Sequence, residues 1–142
     1  MKTLTMRSTI AVAALVVAAG SASAQTYKAD IPMSFRAGNT QMAAGSYDFQ
    51  VVTSSGHAYV AVQKADGSNT AMLLPIPGSD APKAWQKERK PKISFNCLGR
   101  TCTLGRLWNG RDVSVYEFPA RKLPPAEAER LAVVTVGLTR AD

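Results

Sequence analysis

Between Lys92 and Phe118 the chain carries two turn signals that each dictate a strand register. Gly99-Arg100 has the Gly-X form of a type II′ two-residue turn, and Asn109-Gly110 is the favoured type I′ pair. The first turn sets Leu98 opposite Thr101, Cys97 opposite Cys102, Phe95 opposite Leu104 and Ile93 opposite Arg106. The second sets Trp108 opposite Arg111, Arg106 opposite Val113 and Leu104 opposite Val115. Successive side chains of a strand point to opposite faces. One face therefore collects Ile93, Phe95, Cys97, Cys102, Leu104, Trp108, Val113 and Val115. The other carries Ser94, Asn96, Thr103, Gly105, Asp112 and Ser114, with Leu107 and Tyr116. Two turns chosen independently thus predict one antiparallel meander with a single apolar face.

The same alternation recurs along the chain. Ala29, Ile31, Met33 and Phe35 interleave with Asp30, Pro32, Ser34 and Arg36, the period of two of a half-buried strand. Pro32 cannot donate to a ladder, which predicts an edge or irregular strand. Tyr47, Phe49 and Val51 predict a strand after Gly45, and Ser54-Ser55-Gly56 a turn into another with Ala58, Val60 and Val62. After Asp66-Gly67-Ser68 two registers compete. A two-residue turn sets Val62 opposite Ala71. A three-residue turn sets Val62 opposite Met72 and Val60 opposite Leu74, and is preferred because it keeps Met72, Leu74 and Ile76 on the apolar face. Residues 75 to 91, with four prolines among a cluster of bases, read as a long exposed loop that Trp85 either pins to the sheet or offers to a partner. Pro124-Pro125 opens a short helical turn. Leu131 to Leu138 (LAVVTVGL) reads as a strand buried on both faces or closing a barrel. The expectation is an all-β domain: a small antiparallel barrel of about eight strands, with a sandwich as second choice and one short helical turn near the C-terminus.

The first 24 residues read as a secretory signal peptide. Lys2 and Arg7 precede the apolar run from Ile10 to Ala19, Gly20 breaks it, and Ala22-Ser23-Ala24 offers small residues for cleavage before Gln25. That run is far short of the roughly 20 residues that span a bilayer. Removing 24 of the 142 residues leaves 118, enough for one domain over residues 25–142. No second stretch approaches membrane-spanning length, and the expected destination is the periplasm or the outside. Charge is uneven: residues 25–80 hold three bases and four acids, whereas residues 81–142 hold twelve bases and six acids. A basic half favours anionic partners. Nucleic acid is not expected in an exported protein, so an envelope component or a protein is the expected partner.

Ile31-Pro32-Met33-Ser34-Phe35, then Gly38 and Ala44-Gly45-Ser46-Tyr47, resemble the opening of a group of small uncharacterised bacterial exported proteins. Ile93-Ser94-Phe95 through Leu98-Gly99 to Leu107-Trp108, with Glu127 to Arg130 downstream, is similar to their later hairpin and tail. The likeness spans about half of the mature chain. Where that group often has a His and a Tyr near the hairpin turn, this chain has Asn96 and Leu98. The resemblance implies a β-barrel-like module without an assigned activity, and no catalytic residue.

Cys97 and Cys102 fall one step back from the Gly99-Arg100 turn, at a non-hydrogen-bonded pair whose Cα atoms are about 4.5 Å apart. With export into an oxidising compartment this predicts a structural disulfide. No Cys-x-x-Cys is present to tune a redox pair. His57, the single histidine, sits beside a turn, and no zinc ligand set can be assembled around it. There is no Gly-x-Ser-x-Gly elbow and no Gly-rich phosphate loop, and Asp112, Glu117, Glu127 and Glu129 form no glycosidase-like pair. No enzyme activity, cofactor or metal is expected. Arg106 falls on the apolar face, where an unpaired charge is costly; a rim position, an inward acid and an anionic ligand are the open explanations. Candidate partner contacts are Lys83, Trp85, Lys87, Arg89, Lys90 and Arg100. The expected function is an exported binding or structural module of the cell envelope. A carrier of a small apolar or anionic ligand, or an inhibitor of an envelope-degrading enzyme, is the alternative.

Overall fold

In the computed structural model, which describes residues 23–120 and 122–141, strands dominate because β-branched and aromatic residues alternate with polar ones almost throughout. The elements are β1 (Ser23–Ile31), β2 (Phe35–Ala37), β3 (Thr40–Met42), β4 (Gly45–Ser54), β5 (His57–Lys64), β6 (Thr70–Leu73) and β7 (Ile76–Asp80). Then follow α1 (Lys83–Glu88), β8 (Lys92–Leu98), β9 (Thr101–Trp108), β10 (Ser114–Glu117), α2 (Pro125–Ala128), β11 (Ala132–Gly137) and β12 (Thr139–Ala141). Nearly all of the expected signal peptide lies outside the described residues; Ser23 and Ala24 pair with Thr53 and Val52.

The strands form two sheets, in the orders β12-β1-β4-β5-β6 and β11-β8-β9-β10-β7, with β2 joining β9 and β3 joining β2. They number twelve rather than about eight, and no closed ring of pairing is found among the described residues. One core lies between the sheets. Tyr27, Phe49 and Val62 of the first and Ile93, Phe95 and Leu107 of the second are all fully buried. Phe35 stitches the two together, with ring centroids 5.1 Å from Tyr47 on one side and 5.1 Å from Phe95 on the other. Edge-to-face pairs of this kind add about 1 kcal/mol beyond the burial itself.

Four local expectations need correction. Ile31 ends β1, so the first alternating run is two strands broken at Pro32, and β1 lies centrally between β12 and β4. The β5–β6 hairpin takes the register set aside above: Val62 faces Ala71 and Val60 faces Leu73. The turn decides it. Ser68 N–H donates to the Asp66 carboxylate, Gly67 has φ +81°, and Lys64 N–H bonds Asn69 O, leaving Met72 and Leu74 outside at 68% and 74% exposure. Residues 131–138 are not buried on both faces. β11 is the edge of the second sheet, with Val133 exposed and only Val134 and Val136 packed on the core.

The meander also departs from its expected register. The Gly99-Arg100 turn holds, and pairs Leu98 with Thr101, Cys97 with Cys102 and Phe95 with Leu104. Beyond Leu104 the register slips by one: Ser94 faces Arg106 and Ile93 faces Leu107. Gly105 is the extra residue of a β-bulge, which re-aims every side chain after it. Leu107 enters the core, while Trp108 and Val115 leave it for a separate cluster and Val113 is exposed. Asn109-Gly110 is not a two-residue turn. Tyr116 faces Leu107 and Glu117 faces Arg106, so the connection is longer, and the Asn109 side chain accepts from the N–H groups of Arg111 and Asp112 within it.

Candidate functional site

The displaced Trp108 organises the most distinctive surface of the molecule. With Ala81, Trp85 and Val115 it forms a small second core. The Trp85 and Trp108 rings lie 6.4 Å apart, inclined at 31°, and Trp108 Nε1 donates to Asp112 O at 2.7 Å. Trp85 therefore pins this segment and, 8% exposed, is not a surface for a partner.

The segment is also not a loop. β7 pairs with β10, and Pro82 introduces the helix α1, Lys83–Glu88. Gln86 Nε2 donates to Ala81 O at 2.7 Å, and Arg89 closes α1 in a left-handed conformation (φ +55°) with its N–H on Trp85 O. The sequence signal for α1 was present: a proline at the cap followed by Lys, Ala, Gln, Lys and Glu, all good helix formers. The density of prolines masked it.

Around this anchor the cations face outward. Lys83 and Lys87 lie one turn apart on α1, and Arg89 and Lys90 follow; all four are exposed. Lys92 is engaged by Glu88, whose carboxyl is held below its ordinary range chiefly by the hydrogen bond from Lys92 and by that charge. A further cation, Arg111, escaped the sequence reading. Its 109–113 loop is tied to the α1 segment at two points. Val113 O accepts from Ala81 N at 2.7 Å, and Gly110 fits so closely that a Cβ there would lie 2.8 Å from Pro91 N. Lys83, Lys87, Arg89, Lys90 and Arg111 thus share one braced platform. None of the five is in a salt bridge among the described residues.

Arg100 does not join them. It sits at the β8–β9 tip, whereas α1 precedes the opposite end of β8; seven residues at about 3.3 Å each separate the two by roughly 20 Å. Arg106 is not inside either. The bulge turns it away from the core, where its Nε lies 3.2 Å from Glu117 Oε1, and Ser79 Oγ donates to the same oxygen at 3.0 Å. Cys97 and Cys102 are joined by a disulfide with Cα atoms 4.0 Å apart. His57 is exposed at the start of β5. Among the described residues, no three His, Cys, Asp or Glu side chains cluster as a metal site would require, and no helix is long and apolar enough to cross a membrane.

A second surface feature is a wide groove of about 1370 Å³ beside edge strand β6, lined by Arg36, Met72, Leu74, Leu98, Lys122 and Leu131. Between the sheets, large aromatic side chains fill the interior. No protein-family model, curated protein or solved structure matches the chain.

Proposed function

We propose that the mature chain is an exported, non-enzymatic binding module that docks on an anionic component of the cell envelope through the platform of α1 and the 109–113 loop. One observation carries this reading: Lys83, Lys87, Arg89, Lys90 and Arg111 are exposed on a unit that the Trp85–Trp108 cluster holds in place. A braced array loses less conformational freedom on binding than a floppy loop does. The disulfide and the leader-like first 24 residues support an oxidising, extracytoplasmic setting. Within the two-sheet fold, β11 runs past Leu138 into β12 of the other sheet. That link supports a sandwich joined along one side in preference to a closed barrel.

The test is retention on isolated bacterial envelope at low and high salt. The parent should be retained at low salt and released at high salt, since exposed charges are screened. The variant with Lys87, Arg89, Lys90 and Arg111 all changed to Glu should pass through. Equal retention of both proteins would remove the platform as the docking site.

A further inference from the structure

We infer that the component the platform docks on is an anionic lipid surface, which rests on the reading just given. A discrete small anion is held by donors that converge on it from a concavity. Here no concavity gathers them. Lys83 and Lys87 lie one turn apart on α1, Arg89 and Lys90 follow at its end, Arg111 lies in the adjoining loop, and all five are exposed. None of the five lines the groove beside β6 or the smaller cleft over the outer face of the second sheet. Long, exposed cations outside any cavity fit a plane of headgroups, where each needs only its own phosphate and the attraction adds residue by residue.

The charge balance suits such a plane. Residues 80–92 and 109–113 together hold six bases against three acids. One of those acids, Glu88, is tied to Lys92, and another, Asp112, accepts from the Asn109 side chain. The platform also carries an apolar contact that a soluble polyanion would not use. Val113 is 57% exposed between Arg111 and the start of α1, because the Gly105 bulge and the long 109–113 connection keep it out of both cores. An aliphatic side chain beside cations is the arrangement that peripheral membrane contacts use, charge for approach and apolar area for the headgroup boundary.

The experiment is co-sedimentation of the mature, oxidised protein with vesicles of phosphatidylglycerol and phosphatidylcholine, with phosphatidylcholine alone, and with soluble polyphosphate in a parallel arm. Binding is expected to the mixed vesicles and not to phosphatidylcholine, falling steeply with salt. Replacing Lys87, Arg89 or Lys90 singly with Ala should lower the partition about fivefold each. Val113→Ser should weaken vesicle binding and leave polyphosphate binding unchanged. Binding to polyphosphate through the same residues without binding to the mixed vesicles would overturn the lipid inference and leave the anion-docking reading standing. Binding to neither would overturn the lipid inference, and retention on isolated envelope would then decide the docking reading by itself. Vesicle binding that the substitutions leave unchanged would place the contact elsewhere and overturn the inference.

Discussion

Gly105 and Gly110 do different work a few residues apart, and between them they create the platform. At Gly105 a Cβ would lie 2.9 Å from Asn96 Nδ2, so any side chain at the extra residue of the bulge would have to displace Asn96. The bulge sends Trp108 out to Trp85 and takes Arg106 out of the apolar face to Glu117. At Gly110 both the left-handed backbone (φ +81°) and the backbone of Lys90–Pro91, 2.8 Å from a Cβ, forbid a side chain. Gly110→Ala should therefore lower the unfolding free energy by about 1–3 kcal/mol, measured by urea titration. Burial is the main cause that raises the phenols of Tyr27, Tyr47 and Tyr116 above their ordinary value. Each then holds its proton more tightly folded than unfolded. The stability they contribute is complete below about pH 10 and drains away as pH rises through the raised folded values. The urea midpoint should thus fall in that alkaline range, and the half-buried Tyr116→Phe should fall less steeply.

Among the elements, the β8–β9 hairpin was the most legible, because one glycine turn and one cysteine pair specify the same register. The disulfide closes a short loop, with a sequence separation of 5. Replacing Cys97 and Cys102 with Ser should cost about 2 kcal/mol on the chain-entropy account and leave the sheet formed. Denaturant unfolding followed by circular dichroism checks both parts. Legibility failed where burial and local turn chemistry disagreed. Met72, Leu74 and Ile76 outweigh Ala71 and Leu73 as core residues, yet the Asp66-Gly67-Ser68 turn fixes Val62 against Ala71. A bulge leaves only a glycine as its mark, and Gly105 resembles any other strand glycine until its neighbours are known. The run from Leu131 to Leu138 shows the same limit, since continuous apolar character does not say whether a strand is central or an edge.

For the whole molecule, the basic second half was visible in composition and four of the platform's cations fell together between Lys83 and Lys90, but the joining of Arg111 and the separation of Arg100 were not legible. The register slip and the long 109–113 connection bring Gly110, the neighbour of Arg111, against the Lys90–Pro91 backbone, and the length of β8 carries Arg100 to the far end. Of the two roles open to Trp85 it takes the pinning one, and what it packs on is Trp108. Lysine footprinting tests the central claim, that this platform is the docking surface, most directly. The protein would be acetylated free and while retained on isolated envelope, and each lysine compared by mass spectrometry. Protection is expected at Lys83, Lys87 and Lys90, with the exposed Lys28 and Lys122 modified equally in both states. Protection centred on Lys28 or Lys122, with the three platform lysines unchanged, would contradict it.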